Sequence, residues 1–284
     1  MQDRLDSVLD ELVPLSSDFP GHRTVGREAI VVEDLRKTYP NGTEAVRGIS
    51  LRIAAGECYG LLGPNGAGKS TTIGILGTLV RPTSGWATVA GFDVVTRPRD
   101  VRRRIGFAMQ DVGIDGYATP RELLSLQGRL HGLRRADAHR RAGLLLKMVD
   151  LSEVADKRLG GFSGGMQRRV DLAASLVPLP SVVFLDEPTE GLDPRARAAI
   201  WNALDRLRER LGLTVVLTTH YMEEADRLCD RIGIIERGQV VAEGTPAALK
   251  ATVGSASLED VYLRYTGRPF ESAYGDPIAM EQAA

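Results

Sequence analysis

The sequence is poor in cysteine and in aromatic residues, and it has no long apolar run. Its two cysteines, Cys58 and Cys229, lie far apart among 284 residues without metal-ligand spacing. This excludes a disulfide-rich fold and a cysteine metal site and favours reduced thiols. No stretch approaches the roughly 20 apolar residues of a membrane helix, and the N-terminus lacks the apolar core of a secretory signal. We therefore expect a cytoplasmic chain that reaches a membrane only through another polypeptide.

A strong net charge is missing as well. Lys and Arg number 36 against 37 Asp and Glu, and the formal net charge is −1. No global basic field therefore draws the chain toward nucleic acid, and no nucleic-acid partner is expected. Arginines cluster in a predicted helix over residues 96–104 without interleaved aromatic residues, which is typical of a solvated helix face.

The most informative stretch is residues 63–71, Gly-Pro-Asn-Gly-Ala-Gly-Lys-Ser-Thr, which matches the phosphate-binding pattern G-x-x-x-x-G-K-[ST]. An apolar strand over residues 58–62 precedes it, and a helix is predicted to begin at about Lys69. The glycines let successive backbone N–H groups surround an anion, and the helix N-terminus adds its dipole. Lys69 would bring its charge to the β- and γ-phosphates, and Ser70 would offer its hydroxyl to Mg²⁺.

Three further polar side chains follow predicted strands. Asp186 and Glu187 come after the apolar strand 181–185, where the aspartate can hold Mg²⁺ and the glutamate can orient and deprotonate a water. His220 follows the strand 213–219, which should lie beside the first, so a γ-phosphate contact is predicted. Because apolar strands rarely end in adjacent acids without a cation or partner, we favour a site over a surface acidic pair.

Two other residues are ambiguous on their own. Tyr39 lies in the turn between predicted strands over residues 29–35 and 43–49, and it could be a core tyrosine or a ring that stacks on a purine. The phosphate loop downstream favours stacking. Ser163 starts a glycine-rich helix within residues 162–169, and in isolation this pattern could be a helix cap alone.

The overall pattern predicts an α/β fold with two departures from regular alternation. Strands over 29–35, 43–49 and 50–53 predict a small antiparallel sheet. Residues 111–161 are more helical, with a capping box at Thr119, and predict a helical insertion between two core strands.

The two ends of the chain look like extensions. Residues 1–28 contain an amphipathic pattern over 5–13, which predicts one short helix that is either disordered or docked on a neighbour, followed by a linker. We expect this segment to be flexible. Residues 251–284 form a short C-terminal extension with a polar tail.

Five features follow one another along the chain: the phosphate loop, a glutamine after a strand (Gln110), the Ser-Gly-Gly helix start, the Asp-Glu pair at a strand end, and the histidine at a strand end. This order resembles the ATP-binding subunit of ABC transporters over about residues 29–250. The resemblance implies a P-loop NTPase (RecA-like) core with a mainly parallel sheet, a small antiparallel β-subdomain and a helical subdomain inserted at about residues 111–165. The chain is also similar to the daunorubicin-resistance type of ABC-2 exporter ATPase, through residues 61–71, 163–173 and 258–262.

The resemblance also implies residue roles. Catalytic roles fall to Lys69, Gln110, Glu187 and His220, and Mg²⁺ binding to Ser70, Gln110 and Asp186. The implied ATP contacts are Tyr39, Val46, Gly63, Pro64, Asn65, Gly66, Ala67, Gly68, Lys69, Ser70, Thr71, Gln110, Asp186, Glu187 and His220. A second copy, paired head-to-tail, would add its signature residues Ser163, Gly164 and Gly165 to each site. Phe162 replaces the family's usual Leu or Tyr, an apolar exchange that should keep the signature working, whereas the C-terminal extension is shorter than usual.

The implied function is ATP hydrolysis that powers a membrane exporter of a hydrophobic drug or natural product. ATP and Mg²⁺ are the implied cofactors, a second copy is one partner, and an integral membrane permease docks near Gln110 to Pro120. A soluble ABC-type ATPase acting on ribosomes or nucleic acid is the alternative, although such proteins usually carry two cassettes or long coiled-coil insertions. A binding module without turnover is disfavoured because the catalytic residues are present.

Overall fold

The computed structural model describes residues 2–12, 27–109, 115–267 and 269. Within them ten strands form two sheets. The strands are β1 (Glu28–Thr38), β2 (Glu44–Ala54), β3 (Cys58–Leu62), β4 (Ser84–Val89), β5 (Phe92–Asp93), β6 (Ile105–Ala108), β7 (Val182–Asp186), β8 (Thr214–Thr219), β9 (Arg231–Glu236) and β10 (Gln239–Gly244). The helices are α1 (Gln2–Leu12), α2 (Lys69–Leu76), α3 (Pro98–Arg102), α4 (Pro120–Leu130), α5 (Arg135–Met148), α6 (Gly164–Ser175), α7 (Pro194–Leu211), α8 (Met222–Leu228), α9 (Pro246–Val253) and α10 (Leu258–Thr266).

The larger sheet has the order β10-β9-β3-β8-β7-β6, in which every pair is parallel except the edge pair β10-β9. Strands β3, β7 and β8 are buried at every position, because their apolar sequences are covered on both faces. Leu62 lies opposite Thr219, and Asp186 lies opposite Thr218. The register therefore brings the phosphate loop, Asp186 and His220 to one edge of the sheet. The predicted core with a mainly parallel sheet is confirmed.

The smaller sheet is antiparallel, as predicted, but its composition differs from the prediction. Its order is β2-β1-β4-β5. Residues 43–49 and 50–53 are not two strands; they belong to the single strand β2, which passes through Gly48 at φ 94°. The pairing register with β1 shifts near this glycine, so the alternation breaks while the strand continues.

The helical segment begins with α4, whose Thr119 forms the predicted capping box with Glu122. Helices α5 and α6 follow before the chain re-enters the sheet at β7. Gln110 lies outside the described residues, so its predicted role stays a prediction. The predicted basic helix over 96–104 is only the short α3, which ends at Arg102 because the chain turns there into β6.

Helices from both ends pack on the core. In α1, Val8, Leu9 and Leu12 are fully buried against α5 and α7. The C-terminal extension contains α10, which the sequence analysis did not predict, and Tyr262 on it donates a hydrogen bond of 2.8 Å to Glu236 Oε2. No helix in the described ranges is both long enough and apolar enough to cross a membrane.

Candidate active site

Two glycines of the phosphate loop, Gly63 and Gly68, are packed so closely that they cannot be replaced without displacing backbone. A Cβ at Gly63 would lie 2.3 Å from the Ile235 carbonyl oxygen, and one at Gly68 would lie 2.3 Å from the Ala45 carbonyl oxygen. Gly68 has φ 104° and precedes α2 without a side-chain cap. The first N–H groups of α2 are thus free of a capping side chain, which suits an anion ligand.

Lys69 is buried, with its side chain 4% exposed. Its Nζ donates to the carbonyl oxygens of Gly63 at 2.8 Å and Pro64 at 3.1 Å, and it lies 3.3 Å from Glu187 Oε1. Burial lowers the pKa of Lys69 below its usual value, although the charge of Glu187 opposes this shift. The ammonium is therefore held at the mouth of the loop by three oxygen atoms.

Asp186 collects two hydroxyl groups. Ser70 Oγ donates to Asp186 Oδ1 at 3.1 Å, and Thr218 Oγ1 donates to the same oxygen at 2.5 Å. A hydroxyl and a carboxylate side by side form the hard oxygen donor set that Mg²⁺ prefers. The two residues predicted from separate motifs to bind the metal are thus brought together.

Glu187 has an unusual backbone conformation, with φ 50°. Its N–H donates to Thr218 Oγ1 at 3.1 Å and Thr218 O at 3.2 Å, which fixes it at the strand end. A left-handed non-glycine residue is strained and is typical of functional sites. Burial would raise the pKa of Glu187, but the adjacent His220 ring and the charge of Lys69 outweigh it and hold this pKa well below its usual range.

His220 completes the cluster. Its Nδ1 lies 3.2 Å from Glu187 Oε1, its side chain is 3% exposed, and its ring stands 4.2 Å from the Tyr221 ring. Glu190, which the sequence analysis missed, has a carboxylate oxygen within 4.8 Å of ligand atoms of Glu187 and His220. Its position three residues after Glu187, in the same strand-end turn, was the only available signal.

Two predicted nucleotide contacts lie at the antiparallel sheet. The Tyr39 hydroxyl is 3.3 Å from Thr71 Oγ1, and Lys37 Nζ lies 5.1 Å from the centre of its ring. This puts Tyr39 beside the phosphate-loop helix, and adenine stacking stays a prediction. Val46 is buried in the core of the smaller sheet, and its ATP contact also stays a prediction.

The signature residues are not joined to this cluster within the described part of the chain. Ser163 caps α6 by accepting the Met166 N–H at 3.3 Å. A Cβ at Gly164 would meet no atom within 4 Å, whereas one at Gly165 would lie 3.0 Å from Leu192 Cδ2. The start of α6 thus faces open space on one side and the turn before α7 on the other.

The arrangement of lysine, paired acids and histidine around a phosphate loop is that of a nucleoside triphosphatase. A family model described as ABC transporter matches residues 46–190. The chain belongs to the ABC transporter family. As a member, it is an ATP-binding subunit that hydrolyses ATP, which confirms the fold and the activity expected from the sequence.

Relatives of this ABC transporter subunit include the daunorubicin/doxorubicin resistance ATP-binding protein DrrA of Streptomyces peucetius. It is 50% identical over 227 residues, which span 80% of this chain and 68% of that protein. The Nod factor export ATP-binding protein I of Burkholderia lata is 46% identical over 76% of this chain and 71% of its own length. Among solved structures, a dimeric ATP-binding cassette in a post-hydrolysis state with ADP and Pi matches with TM-score 0.72 and 30% identity, covering 76% of this chain and 98% of that one.

Proposed function

We propose that this ABC transporter subunit powers the export of a hydrophobic drug or natural product through a membrane permease. The relatives named for drug resistance and for Nod factor export support the direction of transport. The observation that carries the catalytic part is the convergence of three side chains: Glu187 Oε1 lies 3.3 Å from Lys69 Nζ and 3.2 Å from His220 Nδ1. The soluble ribosome- or nucleic-acid-associated ATPase has no observation in its favour.

Each chain is proposed to supply most of one ATP site. Lys69 and the N-terminus of α2 would bind the β- and γ-phosphates, and His220 would contact the γ-phosphate. Ser70 and Asp186 would hold Mg²⁺, together with Gln110 as the family resemblance implies. When bound, the ion neutralises charge that develops on the phosphate oxygens. Tyr39 would stack on the adenine.

Glu187 is the proposed base. In the step it serves, a water oxygen attacks the γ-phosphorus, the bond to the ADP oxygen breaks, and Glu187 accepts the water proton. The adjacent His220 and the charge of Lys69 hold the pKa of Glu187 low, which makes the carboxylate a weak base. We expect Lys69 to turn toward the phosphate when ATP binds, which would weaken its pairing with Glu187 and make the carboxylate more basic. Substrate binding thus prepares the base.

The other half of each site would come from a second copy. Ser163, Gly164 and Gly165 stand at an accessible helix start that would face the γ-phosphate of the partner's site. An isologous pair uses the same two surfaces twice and makes two sites at once. The dimeric cassette relative supports this pairing. The permease is proposed to dock near residues 110–120, which would place the subunit on the inner face of the cell membrane.

The substitution Glu187→Gln tests the proposal. It removes the base but preserves the shape, so turnover should fall by about 10²–10⁴-fold while ATP still binds and the dimer accumulates. ATPase rates would be measured in membranes that contain the chain and its candidate permease, and ATP binding with purified protein. The matched control is Glu209→Gln, an exposed glutamate on α7. Normal turnover in Glu187→Gln would overturn the proposed base.

A further inference from the structure

A fully buried carboxyl group joins the two segments that carry Glu187 and His220. Glu224 on α8 is 0% exposed. Its Oε1 accepts a hydrogen bond from Thr189 Oγ1 at 2.8 Å and another from Trp201 Nε1 at 3.2 Å. Thr189 is likewise 0% exposed, so neither hydroxyl nor carboxyl exchanges these partners with bulk water.

The Thr189 contact fixes the segment that starts at Glu187. Glu190 N–H donates to Glu187 O at 3.2 Å, and Leu192 N–H donates to Thr189 O at 3.2 Å. Two consecutive turns therefore connect Glu187 to the start of α7. A hydrogen bond on the Thr189 side chain holds both turns in place, because Thr189 belongs to both of them.

The same carboxyl group constrains the segment that carries His220. Glu224 lies four residues after His220, in the first turn of α8. The Thr219 hydroxyl also interacts with this carboxyl group, so the residue before His220 and the helix after it are tied to one point. Burial raises the pKa of Glu224 above its usual value, against these donors.

We propose that Glu224 is a positioning residue for ATP hydrolysis, which sets the distance between Glu187 and His220 through Thr189. Trp201 on α7 anchors this network to a second helix. It is 9% exposed, and its indole N–H donates a hydrogen bond to the same oxygen of Glu224. A buried carboxyl group is costly compared with an apolar side chain of similar size. The geometry that Glu224 enforces would account for a carboxyl group at this place.

This inference rests on the proposed roles of Glu187 and His220, and it predicts a selective defect. Glu224 makes no hydrogen bond or ion pair with the phosphate loop in the described ranges. Removing it should therefore impair the chemical step more than nucleotide binding. Misplacing a catalytic group by about 1 Å can reduce the rate by about 10²-fold.

The test compares Glu224→Ala with Glu224→Gln in the full chain with its candidate permease. We expect kcat to fall by about 10–100-fold in the alanine variant with an ATP Kd within about threefold of wild type. The glutamine variant keeps an acceptor for both donors and should recover kcat to within about threefold of wild type. Thr189→Val, which removes one hydroxyl at nearly constant shape, should lower kcat without changing Kd. This variant replaces Glu224→Ala as the test if that protein does not fold.

The matched control is Glu223→Gln, because Glu223 precedes Glu224 on α8 but its side chain is 75% exposed. It should leave kcat unchanged. Wild-type kcat in both Glu224→Ala and Thr189→Val would overturn the inference, as would equal losses in kcat and ATP affinity without rescue by glutamine. If Glu187→Gln is inactive while these variants are normal, only the inference fails; if Glu187→Gln turns over normally, the proposed base fails first.

Discussion

Two helices of this chain start on glycine-rich turns, and their N-termini are built differently. Gly68 precedes α2 in a left-handed conformation and offers no side-chain cap, whereas Ser163 caps α6 with its own hydroxyl. The start of α2 is enclosed, since Lys69 is 4% exposed and contacts Glu187. The start of α6 is open, because nothing lies within 4 Å of a Cβ built on Gly164.

In terms of the proposed composite site, the α2 half is the one that is complete within one chain. Two acidic residues of the same chain already contact the start of α2: Asp186 accepts a hydrogen bond from Ser70, and Glu187 pairs with Lys69. The α6 start is satisfied as a helix by its cap and meets none of these groups through a hydrogen bond or ion pair in the described residues. In the proposed site, the enclosed N-terminus would bind the phosphates with residues of its own chain, whereas the open one would face a ligand held by a second copy.

Among the variants that test this difference between the two helix starts, Gly164→Asp should have the largest effect. Because space is open and the position is the first of α6, the new carboxylate should not clash and should interact favourably with the helix dipole. Facing a phosphate held by a partner, it should instead repel that charge. We expect an unchanged or slightly raised Tm and a turnover reduced by about 10²-fold or more.

A mixing experiment identifies where the defect acts. Chains with Gly164→Asp and chains with Glu187→Gln would each be inactive alone. In a mixed dimer one site combines an intact Glu187 with an intact Gly164, so random pairing should restore about a quarter of the sites. No recovery on mixing, with heterodimers verified by tag pull-down, would contradict the composite site.

The residues at the strand ends could be predicted from the sequence, because each motif is local and a parallel sheet brings the motifs together. Asp186 ends an apolar strand, Glu187 and His220 each directly follow one, and parallel strands bring their carboxyl ends to one edge of the sheet. The capping box at Thr119 was also predictable, since both of its hydrogen bonds lie within four residues. Such signals need no knowledge of long-range register.

Residues whose roles depend on register were not predictable. Thr218 contacts Asp186 only because the two are paired across β7 and β8, and a threonine in a strand is otherwise ordinary. Glu224 looks like one more acidic residue at a helix start, and only the packing of α7 on α8 reveals its burial. The continuity of β2 through Gly48 likewise depends on its partner strand.

A smaller effect is expected from Ser163→Ala in the isolated chain. The hydroxyl caps α6 at the Met166 N–H, so its loss should destabilise the protein by about 1 kcal/mol. Ser163→Thr retains the oxygen and should stay close to wild type. Chemical denaturation measures both variants. Equal stability of the alanine and serine proteins would mean that α6 does not rely on its own cap, which removes one side of the comparison.

A pH-dependent effect concerns the other anchor of α6, where Arg168 Nη1 donates to Met109 O at 2.6 Å and Asp171 accepts from the Met109 N–H. Burial raises the pKa of Asp171 to about 6, against the charge of Arg168 and that hydrogen bond. A carboxyl pKa raised on folding stabilises the protein below the unfolded value of 3.8, and that contribution is lost as pH rises through about 6. Asn keeps the acceptor but does not titrate.

Asp171→Asn should therefore gain stability relative to wild type as the pH rises from about 4 to about 6, and the difference should level off above that range. The gain at neutral pH is about 1–2 kcal/mol, since partial exposure reduces the full effect of the shift. Unfolding free energies of the two proteins, with Glu209→Gln as the exposed-carboxylate control, would be measured across this range. A difference that is constant with pH would show that folding does not raise the pKa of Asp171.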